Sequence, residues 1–237
     1  MLLAALLVSS VTARLGVWQL DRAAQKTQAQ AQTDARRQLP ALTLVEIATN
    51  ADAVAAQYNR RVTLQGRWLP QGTVFLDNRQ MNARPGFYVV TPLLLVAGDA
   101  VMVQRGWVPR DSNDRSRVPQ IALPDGIVAI QGRMAPPPSH LYDFGDAGSG
   151  PIRQNLDLAG HAASLGLNLR PWSVQQTDPV TAGESPLLRD WPAPAVDVQK
   201  HFGYAAQWFA LSALCAGLYA WFQLVRPRLR HRAPDPA

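Results

Sequence analysis

The sequence contains very little cysteine. Cys215 is the single cysteine among 237 residues, so an internal disulfide is excluded and any folded domain must be held together by packing alone. Cys215 lies inside an apolar run, where a low dielectric disfavours the thiolate and a reactive thiol is not expected.

Sequence signatures of catalysis are also absent. No G-x-S-x-G, P-loop or G-x-G-x-x-G pattern occurs, and the histidines form no H-x-x-H or H-E-x-x-H pair that would indicate a metal-dependent hydrolase. Asp143 and Asp146 flank Gly145, and a turn explains this pair better than acid–base chemistry does. We therefore expect a protein that is not an enzyme. The four histidines are His140, His161, His201 and His231.

Basic residues outnumber acidic ones, which gives a formal net charge of +6 and a pI of about 10.1. Much of the excess follows an apolar run near the C-terminus, at Arg226, Arg228, Arg230 and Arg232. A basic cluster beside an apolar run is typical of membrane topology, and no zinc-finger spacing or aromatic-interleaved basic stripe occurs elsewhere. We expect no nucleic acid partner.

A second apolar segment, residues 202–225, has no charged residue and is long enough to cross a hydrocarbon core of about 30 Å. Aromatic residues lie near both of its ends, as in interfacial belts. The alternative is a buried core helix. We favour a transmembrane helix, which by the positive-inside rule places the tail, residues 226–237, in the cytoplasm and the residues before Phe202 outside.

The first apolar segment, residues 1–20, contains Arg14 and has two interpretations. A signal peptide would need a basic n-region, which is missing, and Ser9 to Ala13 is only a loose cleavage site. We favour a transmembrane helix whose N-terminal part is missing from this chain, with Arg14 snorkelling towards the interface and Trp18 anchoring there. Residues 21–40 are rich in Gln, Ala, Arg and Lys and predict a helical stalk.

Between the two segments, residues 41–200 predict a β-rich domain outside the cytoplasm. Residues 42–58 predict a short helix pair and residues 158–167 another helix, while alternating apolar residues indicate several short strands. The predicted strands are 62–68, 73–78, 86–95 with a break at Pro92, 100–108, 127–134, 152–156 and 172–177. The predicted fold class is an α+β membrane protein, with two transmembrane helices flanking a mainly antiparallel, small barrel-like domain.

Two shorter patterns complete the domain. Arg105-Gly106-Trp107 ends a strand and predicts a glycine bulge with the arginine stacked on an aromatic ring. Proline-rich residues 135–138 and 185–194 predict loops, the latter a linker into the second apolar segment.

His201 stands at the outer end of the second apolar segment. On a helix, Tyr204 and Trp208 fall on its face at i+3 and i+7. An imidazole above aromatic rings at lipid depth suits a haem iron, which takes a neutral imidazole nitrogen while the macrocycle lies against the rings. The alternative is a hydrated histidine that caps the start of the helix.

Three motifs together resemble one family. LGVWQLDRAAQK at 15–26, GFYVVTPLLL with VMVQRGWVPRD at 86–111, and HFGYAAQWFALSA at 201–213 are similar to bacterial members of the Surfeit locus protein 1 family, the cytochrome c oxidase assembly factors. Gln104 stands where the V-x-R-G-W motif often has Asn.

The resemblance implies a multi-pass inner-membrane protein with its main domain in the periplasm. It implies a role in inserting haem a into subunit I of haem-copper cytochrome c oxidase, with subunit I, the haem a synthesis machinery and membrane lipid as partners. It also implies that His201 is the axial ligand of haem iron, with Tyr204, Gln207 and Trp208 lining the macrocycle.

Two rival hypotheses remain open. The first is a haem-free membrane scaffold that holds subunit I through helix and domain contacts, and small residues on both apolar segments suit such helix packing. The second is a membrane enzyme of unknown chemistry.

Overall fold

The computed structural model describes residues 2–114, 116–138, 150–181, 184, 187–191 and 198–230, without the side chains of residues 229 and 230. The chain divides into two compact units. One combines residues 1–32 with residues 194–237, and the other is residues 33–193. His140, the Asp143–Asp146 turn and His231 lie outside the described residues, as does half of the predicted linker.

The first unit is built from two long helices. Helix α1 runs over Leu2–Gln38, so the predicted apolar segment and the predicted stalk form one uninterrupted helix. Helix α4, Val198–Ala220, continues through a π-helical turn at Trp221–Val225 into helix α5, Arg226–Arg230.

Both long helices have the length and composition needed to cross a membrane. No residue in the most apolar window of the α4 segment is buried, which argues against the core helix of a soluble protein. For α1 the same properties also fit a signal sequence, so its role as a membrane span stays a prediction.

Helices α1 and α4 run antiparallel, side by side. Ser212 Oγ donates to the carbonyl of Ser9 at 2.8 Å, and Ser9 Oγ donates to the carbonyl of Ser212 at 3.4 Å. Further along, the ring of Phe209 covers Gly16 so closely that a Cβ there would lie 2.7 Å from Cε1 of that ring. Small residues therefore allow the two helices to approach each other.

The second unit is a β-barrel with short helices around it. Its strands are β1 Arg61–Trp68, β2 Val74–Met81, β3 Arg84–Leu95, β4 Ala100–Pro109, β5 Val128–Ala135, β6 Ile152–Arg153 and β7 Leu169–Gln176. They form one sheet in the order β1-β5-β7-β4-β3-β2-β6, and an additional pairing of β1 with β3 closes five of them into a barrel. The predicted barrel-like, α+β layout is confirmed.

The sheet is mainly antiparallel, as predicted, with two parallel pairs, β4 with β7 and β2 with β6. The hydrophobic core fills the barrel, because alternate residues of each strand point inwards; β1 alternates exposed and buried along its whole length. Strand β6 has only two residues, shorter than the predicted 152–156.

The predicted break at Pro92 is wrong. Strand β3 continues through Pro92, which lies between the residues that pair with β2, ending at Val90, and those that pair with β1, beginning at Leu93. The missing N–H of Pro92 therefore interrupts neither the hydrogen bonds between β3 and β2 nor those between β3 and β1. The Pro92 carbonyl still accepts a hydrogen bond from the amide of Leu69 at 3.0 Å.

Short helices surround the barrel. A 3-10 turn at Leu44–Glu46 and helix α2, Ala51–Ala56, occupy the predicted helix pair. Helix α3, Leu158–Leu165, begins at an Asp157 cap that accepts from two backbone amides and ends at Gly166, whose φ of +65° suits glycine.

The predicted bulge is confirmed. Val89 pairs with Gly106 and Val90 with Gln104, so Arg105 is the extra residue in β4. The Arg105 guanidinium carbon lies 5.1 Å from the centre of the Trp68 ring, as the stacking prediction required.

Candidate functional site

His201 lies in the first turns of α4 and is held by α1. Its Nδ1 atom is 2.7 Å from Oε1 of Gln19, a residue 182 positions away in the chain. An amide oxygen only accepts hydrogen bonds, so with this amide orientation Nδ1 carries the hydrogen. The Nε2 atom then has the free lone pair, which is the form of imidazole that binds a metal.

Aromatic side chains flank the open side of this imidazole. Helical geometry places Trp208 about 20° and Tyr204 about 60° from His201 around the axis. Tyr204 is 52% exposed and Trp208 is half-buried. Ala205, on the other flank of His201, is only 2% exposed. His201 thus lies between a packed flank and an open aromatic one.

Gln207 lies differently from the other predicted residues. It is exposed, and helical geometry puts it about 120° around the axis from His201. The structure therefore brings together His201, Tyr204 and Trp208 on one side of α4, with Gln207 beyond its edge. The binding roles assigned to these four residues stay predictions.

Gln19 is the residue that sequence reasoning missed. It belongs to the first motif, LGVWQLDRAAQK, but the pattern of that motif indicates only an interfacial tryptophan and a helix. Its pairing with His201 depends on the antiparallel register of two helices far apart in the chain, which no local signal specifies.

Comparison with known proteins decides the family. A model of the SURF1 family matches residues 6–213, a span that includes Gln19, the whole barrel and His201. The chain belongs to the SURF1 family. The resemblance seen in the three sequence motifs is therefore confirmed.

Several curated proteins are similar to this SURF1-family chain. A SURF1-like protein of Rickettsia felis is 25% identical over 233 residues, covering 93% of this chain and 96% of the relative. An uncharacterized SURF1-like protein of Mycobacterium tuberculosis is 26% identical over 235 residues, covering 94% and 82%. Surfeit locus protein 1 of Arabidopsis thaliana is 28% identical over 145 residues, covering 56% and 40%.

Apart from the His201 site, the protein contains a buried polar cluster in the barrel domain. This Arg105 cluster is formed by Arg105, Glu184 and Arg189. Oε1 of Glu184 accepts from Arg105 at 3.0 Å and from Arg189 at 2.6 Å, while Oε2 accepts from the amide and hydroxyl of Thr181, both at 3.2 Å. Arg189 also donates to the carbonyls of Arg105 and Asp178. These contacts tie residues 178, 181, 184 and 189 to β4.

Electrostatics explain why the Arg105 cluster is stable when buried. Arg105 is 1% exposed and Glu184 is also buried. Burial alone would raise the pKa of Glu184, but hydrogen bonds from the Thr181 backbone and from Arg105, with the charges of both arginines, outweigh it and the pKa lies below its usual value. All the carboxylate oxygens are occupied, so the cluster is structural and presents no catalytic acid.

His161 is a core histidine whose ring is hydrogen-bonded. It is buried, and its Nε2 atom lies 3.0 Å from the carbonyl of Gly72. Burial lowers its pKa, so the ring is neutral near pH 7. Among the described residues, no three His, Cys, Asp or Glu side chains are grouped closely enough to hold a metal ion.

Proposed function

We propose that this SURF1-family protein is a non-enzymatic assembly factor that binds haem a and assists its insertion into subunit I of a haem-copper cytochrome c oxidase. One observation supports this most strongly. His201 shares its Nδ1 hydrogen with Gln19, so its Nε2 lone pair is available beside the exposed ring of Tyr204 and the half-buried ring of Trp208, at the end of an apolar helix.

The residues present fit a haem group. A haem iron takes a neutral imidazole nitrogen as an axial ligand, and bound haem would supply an iron centre that changes oxidation state. The open flank of His201 carries Tyr204 and Trp208, whose rings offer an apolar surface for the macrocycle. Gln207, further around the helix, would reach only the edge of the group.

The proposal includes a membrane location. Helices α1 and α4 would cross the bacterial inner membrane, with lipid around their exposed apolar faces. The barrel would lie in the periplasm and the basic tail in the cytoplasm, so that His201 would stand at the periplasmic surface. There it would receive haem a from the synthesis machinery and meet subunit I.

The test is the visible spectrum of the detergent-purified full chain, co-expressed with haem a synthesis. We expect haem a bands in the wild type and at least roughly tenfold less bound haem per protein in His201→Ala, because the axial ligand is lost. His231→Ala, in the basic tail that follows the same apolar segment, is the matched control and should retain the wild-type haem content. Equal haem content and equal spectra in wild type and His201→Ala would contradict the proposal.

A haem-free scaffold is the second candidate function, and a different face of α4 favours it. A Cβ atom placed on Gly203 or Gly217 would meet no described atom within 4 Å, and both residues are exposed on the side of α4 away from His201. Such a face could accept a helix of subunit I. A His201→Ala variant that lacks haem yet captures subunit I and still supports oxidase assembly would favour the scaffold.

A further inference from the structure

We propose that Gln19 is a positioning residue for His201: it accepts the Nδ1 hydrogen and holds the imidazole in the tautomer whose Nε2 atom is free for a ligand. The part of this inference that concerns haem rests on the proposed function. The part that concerns the tautomer does not, because it is a property of the protein before any ligand binds.

The hydrogen bond between His201 and Gln19 is short and half-buried. A separation of 2.7 Å between Nδ1 and Oε1 is at the short end of the range for an N–H···O bond. Both side chains are half-buried, so water competes less for either atom than it would at an open surface. The contact therefore favours one tautomer of the neutral ring over the other.

Gln19 lies on the covered face of α1. The buried residues of the helix are Thr12, Gly16 and Ala23, and helical geometry places Gln19 within about 60° of all three. Gln19 therefore belongs to the face of α1 that is covered, while its neighbours Trp18 and Leu20 are exposed.

The register of α1 and α4 places Gln19 beside His201. Ser9 with Ser212, Gly16 with Phe209, and Gln19 with His201 are three successive contacts along the antiparallel pair. The first two contacts fix the position of one helix along the other and its rotation about its own axis. This register places the amide of Gln19 beside the imidazole of His201. The α1 helix thus positions a side chain of α4.

Loss of the Gln19 acceptor should weaken the binding of a metal by His201. A hydrogen-bond acceptor on the second nitrogen of a metal-binding histidine fixes the orientation of the ring and raises its basicity as a ligand. Removal of such an acceptor typically reduces metal affinity by about 10–100-fold. Leucine has a similar length but no acceptor, whereas glutamate keeps an acceptor and makes it stronger.

The first measurement uses the haem-free full chain in detergent, labelled with 15N-histidine, with the His201 signals assigned by their loss in His201→Ala. We expect mainly the Nδ1–H tautomer in the wild type and in Gln19→Glu, and a mixture of tautomers in Gln19→Leu. Gln28→Leu, the same exchange at an exposed position of the same helix, is the matched control and should match the wild type. A Gln19→Leu spectrum with the wild-type tautomer ratio would overturn the inference.

The second measurement uses the haem-loaded protein. Gln19→Leu should bind haem a about 10–100-fold more weakly, whereas Gln19→Glu should retain binding and shift the reduction potential to more negative values. Equal affinity and potential in all three proteins would overturn the haem part of the inference. If the wild type binds no haem at all, the proposed function fails, while the tautomer measurement still decides the role of Gln19.

Discussion

Glu184 shows how one carboxylate can organise the end of a domain. Two arginines share its Oε1 atom and Thr181 binds its Oε2 atom, so the carboxylate is fully bonded although it is buried. Removing one partner of a buried ion pair leaves an uncompensated charge, which costs about 3–5 kcal/mol. The segment that contains Glu184 is therefore held by a small number of strong contacts.

Glu184→Gln should destabilise the barrel by about 3–5 kcal/mol, because Arg105 and Arg189 lose the charge that balances them. Thermal unfolding followed by tryptophan fluorescence measures this. Asp34→Asn, which removes a half-exposed partner of Arg37, is the control and should cost about 1 kcal/mol or less. A Glu184→Gln variant as stable as Asp34→Asn would contradict the assignment.

The same carboxylate predicts a pH dependence. The pKa of Glu184 in the folded protein lies below its ordinary value of 4.5, so its stabilisation is complete above about pH 4.5 and is lost as the pH falls through the folded pKa. Stability should therefore fall below pH 4.5 more steeply in the wild type than in Glu184→Gln. Parallel pH profiles for the two proteins would show that Glu184 is not the group responsible.

At the scale of elements, the helix pair makes the strongest prediction. In a Cys215→Ser background, Ser9→Cys with Ser212→Cys should form a disulfide under mild oxidation, since the two serines exchange hydrogen bonds. Adding Gly16→Leu should reduce this cross-linking, because the new side chain collides with Phe209. Non-reducing gel electrophoresis of the full chain measures both.

The control for the cross-link is Ala24→Leu, which adds a leucine at an exposed position of the same helix. It should leave the disulfide yield unchanged. Equal cross-linking in the Gly16→Leu and Ala24→Leu proteins would contradict the close approach of α1 and α4 at Gly16.

Local patterns predicted the strands better than they predicted contacts. The alternation of β1 and the bulge at Arg105 depend on residues within one strand, so the sequence reveals them. The break at Pro92 was wrong because whether a proline interrupts a sheet depends on which strands lie beside it. Gln19 was missed for a related reason, since its partner is set by helix register.

The whole molecule makes a prediction about orientation. In the Cys215→Ser background, Val45→Cys in intact cells should react with a membrane-impermeant maleimide, because the barrel domain is proposed to lie in the periplasm and Val45 is 92% exposed. Ala237→Cys should react only after the membrane is made permeable, because the basic tail is predicted to be cytoplasmic. The reverse pattern of labelling would show that the topology is inverted.

The place of β7 in the barrel has a consequence for synthesis. Strand β7 is made last among the barrel strands, yet it lies between β5 and β4 and pairs with both. Until residue 176 has emerged, both of these earlier strands present unpaired edges that invite aggregation. A nascent or truncated chain that stops before Leu169 is therefore a natural target for chaperones and proteases, and the protein reaches a protected state only late in its translation.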